Sequence, residues 1–115
     1  PKENLMANYF ESEDLKKFGN IGRVNKELAD KFFDYYNSTM KAGALSEREK
    51  ALIALAVAHA MKCPYCIDAY TSTCLEKGAD EAQMSEAVHV AAAMQAGIAL
   101  VHSVQMMNHI DNASI

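Results

Sequence analysis

Tryptophan is absent from the 115 residues, proline occurs twice and glycine five times. So few chain breakers exclude a fold made of many short strands and turns, and no run of alternating polar and apolar residues reads as a strand. Cysteine is scarce too. Cys63, Cys66 and Cys74 are an odd number without the spacing of a disulfide scaffold, which fits a reducing cytoplasm in which a thiol pair can cycle. Basic charge is outweighed: 11 Lys and Arg stand against 15 Asp and Glu, the net charge is −4 and no basic patch forms, so nucleic acid is not expected as a partner. No secretory leader and no apolar stretch of membrane-spanning length are read, so no membrane association is expected. With no repeat, linker or low-complexity tract, residues 1–115 read as a single domain, short enough that association with further copies would add stability.

What is present is helical patterning. Leu5, Met6, Tyr9 and Phe10 make the first ten residues too apolar for a free tail and predict that they dock on the body or on a neighbouring subunit. Ser12 can cap a short helix through Lys17, ended by Gly19. Asn25 is the expected cap of a helix running to about Lys41, with Leu28, Phe32, Tyr35 and Met40 along one face and Phe33 and Tyr36 widening it; the stripe reads as core. Asp80, with Gln83 at the capping-box position, opens another helix whose stripe is Met84, Ala87, Val88 and Ala91. Gly97 is expected to break or kink that pattern before a last helix containing Ile98, Val101, Val104 and Met107. His89 and His102 read as core or interface histidines. The whole predicts an all-α, single-domain bundle of about six helices.

The stretch from Ser46 to Gly78 differs, because it combines ordinary helix chemistry with a reactive pair. Ser46 and Glu49 form a capping-box pattern, and the run Ala51 to Met61 follows as a helix apolar on most sides. Cys63-Pro64-Tyr65-Cys66 then opens a second helix: Pro64 suits the first turn, Cys63 falls at the N-cap, and Gly78 closes the helix after Lys77. A helix N-terminus presents free N–H groups and partial positive charge, which favour thiolate over the thiol that ordinarily titrates at about 8.5. Two thiols three residues apart can also bond to each other. The competing readings are two small buried hydrophobes and a metal site. The second lacks ligands, since one Cys pair with His59 supplies three rather than four, so no metal or cofactor is expected.

Three neighbours of the pair bear on its chemistry. His59 lies on a face with Leu52, Leu55 and Ala56 that extends to Cys63, and is weighed as a base against the plainer role of a hydrogen-bonded core histidine. Tyr70, one turn beyond Cys66, can donate a hydrogen bond to a thiolate or simply pack. Cys74 lies eight residues past Cys66, roughly 12 Å along the axis at 1.5 Å per residue, too far for a disulfide, and reads as core. The tetrapeptide is similar to the active-site motif of glutaredoxins, but a helix precedes it here where that fold needs a strand.

The block from Leu45 to Met107, carrying Glu47-Arg48-Glu49, the Leu52 to Ala58 run, Cys63-Pro64-Tyr65-Cys66-Ile67, Leu75, Gly78 and Glu86-Ala87, resembles the carboxymuconolactone decarboxylase family and within it the alkylhydroperoxidase D-like branch. It looks most like the peroxidase-like members associated with arsenosugar biosynthesis. The resemblance implies an all-α subunit assembling into trimers or hexamers, and a thiol pair that reduces hydroperoxides or exchanges disulfides, with an external thiol donor restoring it. It implies that Cys66 attacks and Cys63 resolves, whereas the helix-start argument alone favours Cys63. The family's relay of one glutamate and two histidines falls on Ala51, Tyr65 and Tyr70, so it is missing as normally written; Glu47, Glu49 or His59 are the candidate substitutes. The expected catalytic set is Cys66, Cys63, Tyr70, His59 and Glu49. The alternatives are a thiolate site for soft species such as trivalent arsenic, or a redox-sensing scaffold without turnover.

Overall fold

The structure, a computed structural model, describes residues 10–113. Its elements are a 3-10 helix Ser12–Arg23, then α1 Lys26–Met40, α2 Glu47–Ala60, α3 Pro64–Glu76 and α4 Glu81–Ala113. The all-α expectation holds, with no strand among the described residues. Residues 1–9 of the docking segment lie outside them; Phe10 is described and stacks edge-on against Tyr65, with ring centroids 4.8 Å apart.

Local chain chemistry sets the start of α2. The Glu49 N–H donates to the Ser46 hydroxyl at 3.0 Å and the Ser46 N–H donates to the Glu49 carboxylate at 2.7 Å, so two donors that a helix start leaves orphaned are satisfied reciprocally. Asn25 does stand at the N-cap of α1, but its side chain makes no cap bond. The short helix expected from Ser12 to Lys17 is instead one 3-10 helix of 12 residues that runs through Gly19 to Arg23.

Helices α2 and α3 end in the same way. After α2 the Lys62 N–H reaches the His59 carbonyl at 3.2 Å and the Cys63 N–H reaches Ala58 at 3.0 Å; after α3 the Gly78 and Ala79 N–H groups reach Leu75 and Cys74 at 3.1 and 2.9 Å. Both are Schellman closures, which place the residue beyond the cap in left-handed backbone. Gly78 takes that position at φ +87°, as its sequence context predicts, but Lys62 takes it at φ +58° with a side chain. A Cβ at Gly78 would also lie 3.2 Å from the Arg48 guanidinium. Gly78→Ala should therefore lower stability by about 1–2 kcal/mol, while Lys62→Gly should raise it by up to about 1 kcal/mol, as read from denaturant midpoints.

The core is small. Ala51, Leu55, Cys74 and Ala79 are its buried members, with Leu52, Tyr70 and Met84 packed against them, so α2 sits between α3 and the first half of α4. Gln95 ties α4 to α2 by donating to the Ala60 carbonyl at 3.0 Å. The stripe on α1 does not join this core. Leu28 and Tyr35 are exposed, and Phe32 and Phe33 stack around Phe18 of the 3-10 helix instead. On α2, Ile53 and Val57 are likewise exposed, as is Met61 at its C-cap, so only one face of that helix is covered in the single chain.

Gly97 breaks nothing. Helix α4 is continuous over 33 residues, which reduces the expected six helices to five. One residue without a side chain costs a helix about 1 kcal/mol, less than the strong formers around Gly97 supply by continuing. The uninterrupted helix corrects a second expectation: by length and composition it is apolar enough to cross a membrane, with a mean hydropathy of 1.5 over its best window. Ala91 is its one buried residue among those described, and Val90, Met94, Leu100, Val101 and Met106 are all more than half exposed. His89 and His102 are exposed as well, the latter bonded through Nδ1 to the Ile98 carbonyl at 2.6 Å.

Candidate active site

The turn through Lys62 delivers Cys63 to the N-cap of α3 in extended backbone, φ −101° and ψ 100°. From there its sulfur accepts the backbone N–H of Cys66 at 3.2 Å, the bond that a serine or aspartate usually accepts at a cap. An N–H aimed at sulfur stabilises negative charge there, and the helix N-terminus adds to it. All three cysteines are free thiols.

Cys63 and Cys66 open into an apolar cavity of about 610 Å³. One wall is α3, with Tyr65, Ala69 and Tyr70; another is the 3-10 helix, with Leu15, Phe18 and Ile21; Tyr36 of α1 completes it. The 3-10 helix is fastened at its start by a hydrogen bond from the Ser12 hydroxyl to the Asp68 carboxylate, and in its middle by edge-on packing of Phe18 against Phe33, centroids 5.0 Å apart. Asp14 and Lys17 also line the cavity and pair with each other at 2.9 Å.

Burial raises the Cys66 thiol, and a hydrogen bond to Cys63 and the nearness of that sulfur add to it; together they push it up to about 11. Tyr70 is also held above the ordinary phenol value, by burial first and then by its hydrogen bond to Tyr36. The two hydroxyls meet directly, across 34 positions of sequence.

Of the residues singled out from the sequence, Cys63, Cys66 and Tyr70 share this cavity. Glu49 does not reach it: the Ser46 N–H and hydroxyl engage its carboxylate in the cap and hold it below the usual carboxylate range. His59 does not line it either, because its Nδ1 hydrogen is donated back to the Leu55 carbonyl at 2.8 Å. Cys74 is fully buried in the core, and no group of three Cys, His, Asp or Glu among the described residues is placed to hold a metal ion. Tyr36 is the residue that sequence reasoning missed as part of the site. It was visible only as one aromatic of a stripe, and nothing local marks its hydroxyl.

This arrangement, a thiol pair opening a helix that follows an apolar helix, can be set beside known proteins. The sequence profile of the carboxymuconolactone decarboxylase family matches residues 26–109. The chain belongs to that family. The match spans α1 to most of α4 and so takes in the thiol pair, Tyr36 and Tyr70. Among curated relatives, a protein from Paracoccus denitrificans, described as uncharacterised protein 4 in the cox locus, is 37% identical over 98 residues, which cover 83% of this chain and 88% of that one. A crystal structure of a protein from Methanobacterium thermoautotrophicum superposes with a TM-score of 0.70 at 32% identity, covering 73% of this chain and 94% of its own. The family includes decarboxylases and peroxidases. On this member, two free thiols at a helix start facing an apolar cavity are the groups capable of covalent chemistry.

Proposed function

We propose that this member of the carboxymuconolactone decarboxylase family is a thiol oxidoreductase that reduces organic hydroperoxides with Cys66 and Cys63, in the manner of the alkylhydroperoxidase D-like branch. The observation that carries the reading is the thiol pair facing a cavity of about 610 Å³ whose walls are apolar. That volume suits an organic molecule rather than hydrogen peroxide, since ligand pockets run from about 300 to 1,000 Å³.

The Cys66 sulfur attacks the terminal peroxide oxygen; the O–O bond breaks, Cys66 becomes a sulfenic acid, and the departing alkoxide takes a proton to leave as an alcohol. Cys63 then attacks the Cys66 sulfur, the S–O bond breaks, and hydroxide leaves with a proton as water. One dithiol and one hydroperoxide give one disulfide, one alcohol and one water. Two electrons from an external thiol donor restore the pair, as in a reducing cytoplasm. Burial and the neighbouring Cys63 sulfur keep the proton on the Cys66 thiol at pH 7. The proton must therefore leave as the peroxide arrives, and the departing alkoxide is the group that takes it up.

Trapping the intermediate tests these roles. In Cys63→Ser, one equivalent of an organic hydroperoxide in the presence of dimedone should label Cys66, identified by peptide mass spectrometry; in Cys66→Ser, Cys63 should stay unlabelled. The reverse pattern would exchange the two roles.

We also propose that the chain works as a homo-oligomer, a trimer or hexamer. The exposed apolar faces of α4, α2 and α1 support this, since a soluble monomer rarely shows so much contiguous apolar surface.

A further inference from the structure

The hydroxyls of Tyr36 and Tyr70 meet in the wall between two spaces. Both side chains line the apolar cavity that holds Cys63 and Cys66, and both also line a smaller cleft of about 260 Å³ on the other side, with Asn37, Lys41, Glu47, Thr73 and Lys77. Tyr70 stands four residues beyond Cys66 on α3, a spacing that makes the two side chains neighbours on one helix face. Tyr36 comes from α1 and meets Tyr70 hydroxyl to hydroxyl.

Each phenol carries one hydrogen and can accept two. Two hydroxyls in contact use one hydrogen between them, which leaves a single hydrogen for everything else. If Tyr70 donates to Tyr36, the remaining hydrogen belongs to Tyr36 and Tyr70 has none to offer Cys66. If Tyr36 donates to Tyr70, the remaining hydrogen is Tyr70's own and faces the chamber, while the Tyr36 oxygen is left to accept from water in the cleft. The first arrangement, in which Tyr70 donates, is the one that raises the Tyr70 phenol and belongs to the resting thiol; a sulfur that gains negative charge during attack selects the second, and a chain of hydrogen bonds running one way polarises each member.

We propose that Tyr36 is a positioning residue for Cys66, its hydroxyl fixing that of Tyr70 as a hydrogen-bond donor to the Cys66 sulfur. The pair thus stands where the family's imidazole relay is missing: the relay positions here hold Ala51, buried in the core, Tyr65, stacked on Phe10, and Tyr70 itself. The ionisable groups facing the pair do not compete for this part. On the chamber side Lys17 is paired with Asp14 at 2.9 Å, and on the cleft side Lys77 is paired with Glu47 at 3.0 Å. Lys41 faces the cleft alone of the two spaces, and Cys63 and Tyr65 face the chamber. The burial that keeps the proton on Cys66 makes such a donor the interaction its thiolate most needs.

The inference rests on Cys66 as the attacking thiol, and its test needs no hydroperoxide. The fully reduced protein is alkylated with iodoacetamide across pH 7 to 11.5, with Cys63, Cys66 and Cys74 read separately by peptide mass spectrometry. Tyr70→Phe should move the Cys66 profile to higher pH and slow its labelling at pH 7 by roughly ten- to a hundredfold, the effect of one hydrogen bond to a charged group. Tyr36→Phe should move it in the same direction by less, and the double variant should match Tyr70→Phe alone, because Tyr36 acts through Tyr70. Cys74 reports the fold in the same sample by staying unlabelled. A Cys66 profile unmoved by Tyr36→Phe would overturn the proposal, as would shifts that simply add. A protein inert to hydroperoxides but showing the predicted profiles would keep the positioning role and reject the peroxidase reading; rapid peroxide reduction with unmoved profiles would do the opposite.

Discussion

Replacing Cys66 with serine should lower the rate of hydroperoxide reduction at least about a thousandfold, while leaving the fold intact. A serine hydroxyl is a far weaker nucleophile than a thiolate and does not form a sulfenic acid, so both half-reactions fail at once. Folding should be little affected, because Cys66 is only partly buried and the cap of α3 depends on the Cys63 sulfur and the Cys66 N–H, which the substitution retains. The comparison with Cys63→Ser is informative. That variant should still consume one equivalent of hydroperoxide, then stop, since the sulfenic acid has no neighbour with which to condense. Steady-state assays with a dithiol donor measure the first effect, and a stoichiometric burst measures the second.

Val101→Glu should convert an oligomer into a monomer, or raise its dissociation constant at least about a hundredfold, as read by light scattering over a dilution series. Val101 is 62% exposed in the single chain and lies midway along the apolar surface that α4 presents. A carboxylate there must be desolvated if another copy covers it, and costs nothing if water does. The same helix is long and apolar enough to span a bilayer, yet two observations favour a protein partner. Its first half is tied to α2 through Gln95 and buries Ala91, and His89, His102, Ser103, Gln105 and Asn108 are spread along it. A chain that partitions into vesicles and yields no defined oligomer in aqueous buffer would contradict the assignment.

How far these features were legible in the sequence depends on how local their causes are. The Ser46 and Glu49 box, Cys63 at the cap with Pro64 after it, and the Gly78 closure involve residues within a few positions of one another, so their chemistry is readable directly. Lys62 shows the limit of that reading. It adopts the backbone that glycine usually takes, imposed by the closure of α2 and the need to start α3 at once, and lysine carries no signal for it. Gly97 misled in the opposite direction, because a glycine weakens a helix without ending it unless the chain must turn there. Dividing α4 at Gly97 also hid its length, and with it the one long apolar segment of the described chain. The contact between Tyr36 and Tyr70 depends on how α1 lies against α3, which no short window contains. The apolar stripe on α1 was visible, but stripes do not say what covers them: Leu28 and Tyr35 are exposed in the single chain.

We propose that the thiol pair serves peroxide chemistry in an apolar chamber. The measurement that tests it most directly is the rate at which the fully reduced protein loses its thiols to cumene hydroperoxide and to hydrogen peroxide at pH 7, with mass spectrometry locating the bond formed. Loss far faster than that of a free thiol, faster with the organic hydroperoxide, and ending in a Cys63–Cys66 disulfide is the predicted result. Loss no faster than a free cysteine with either oxidant would contradict it, and would direct attention to disulfide substrates of the same thiol pair.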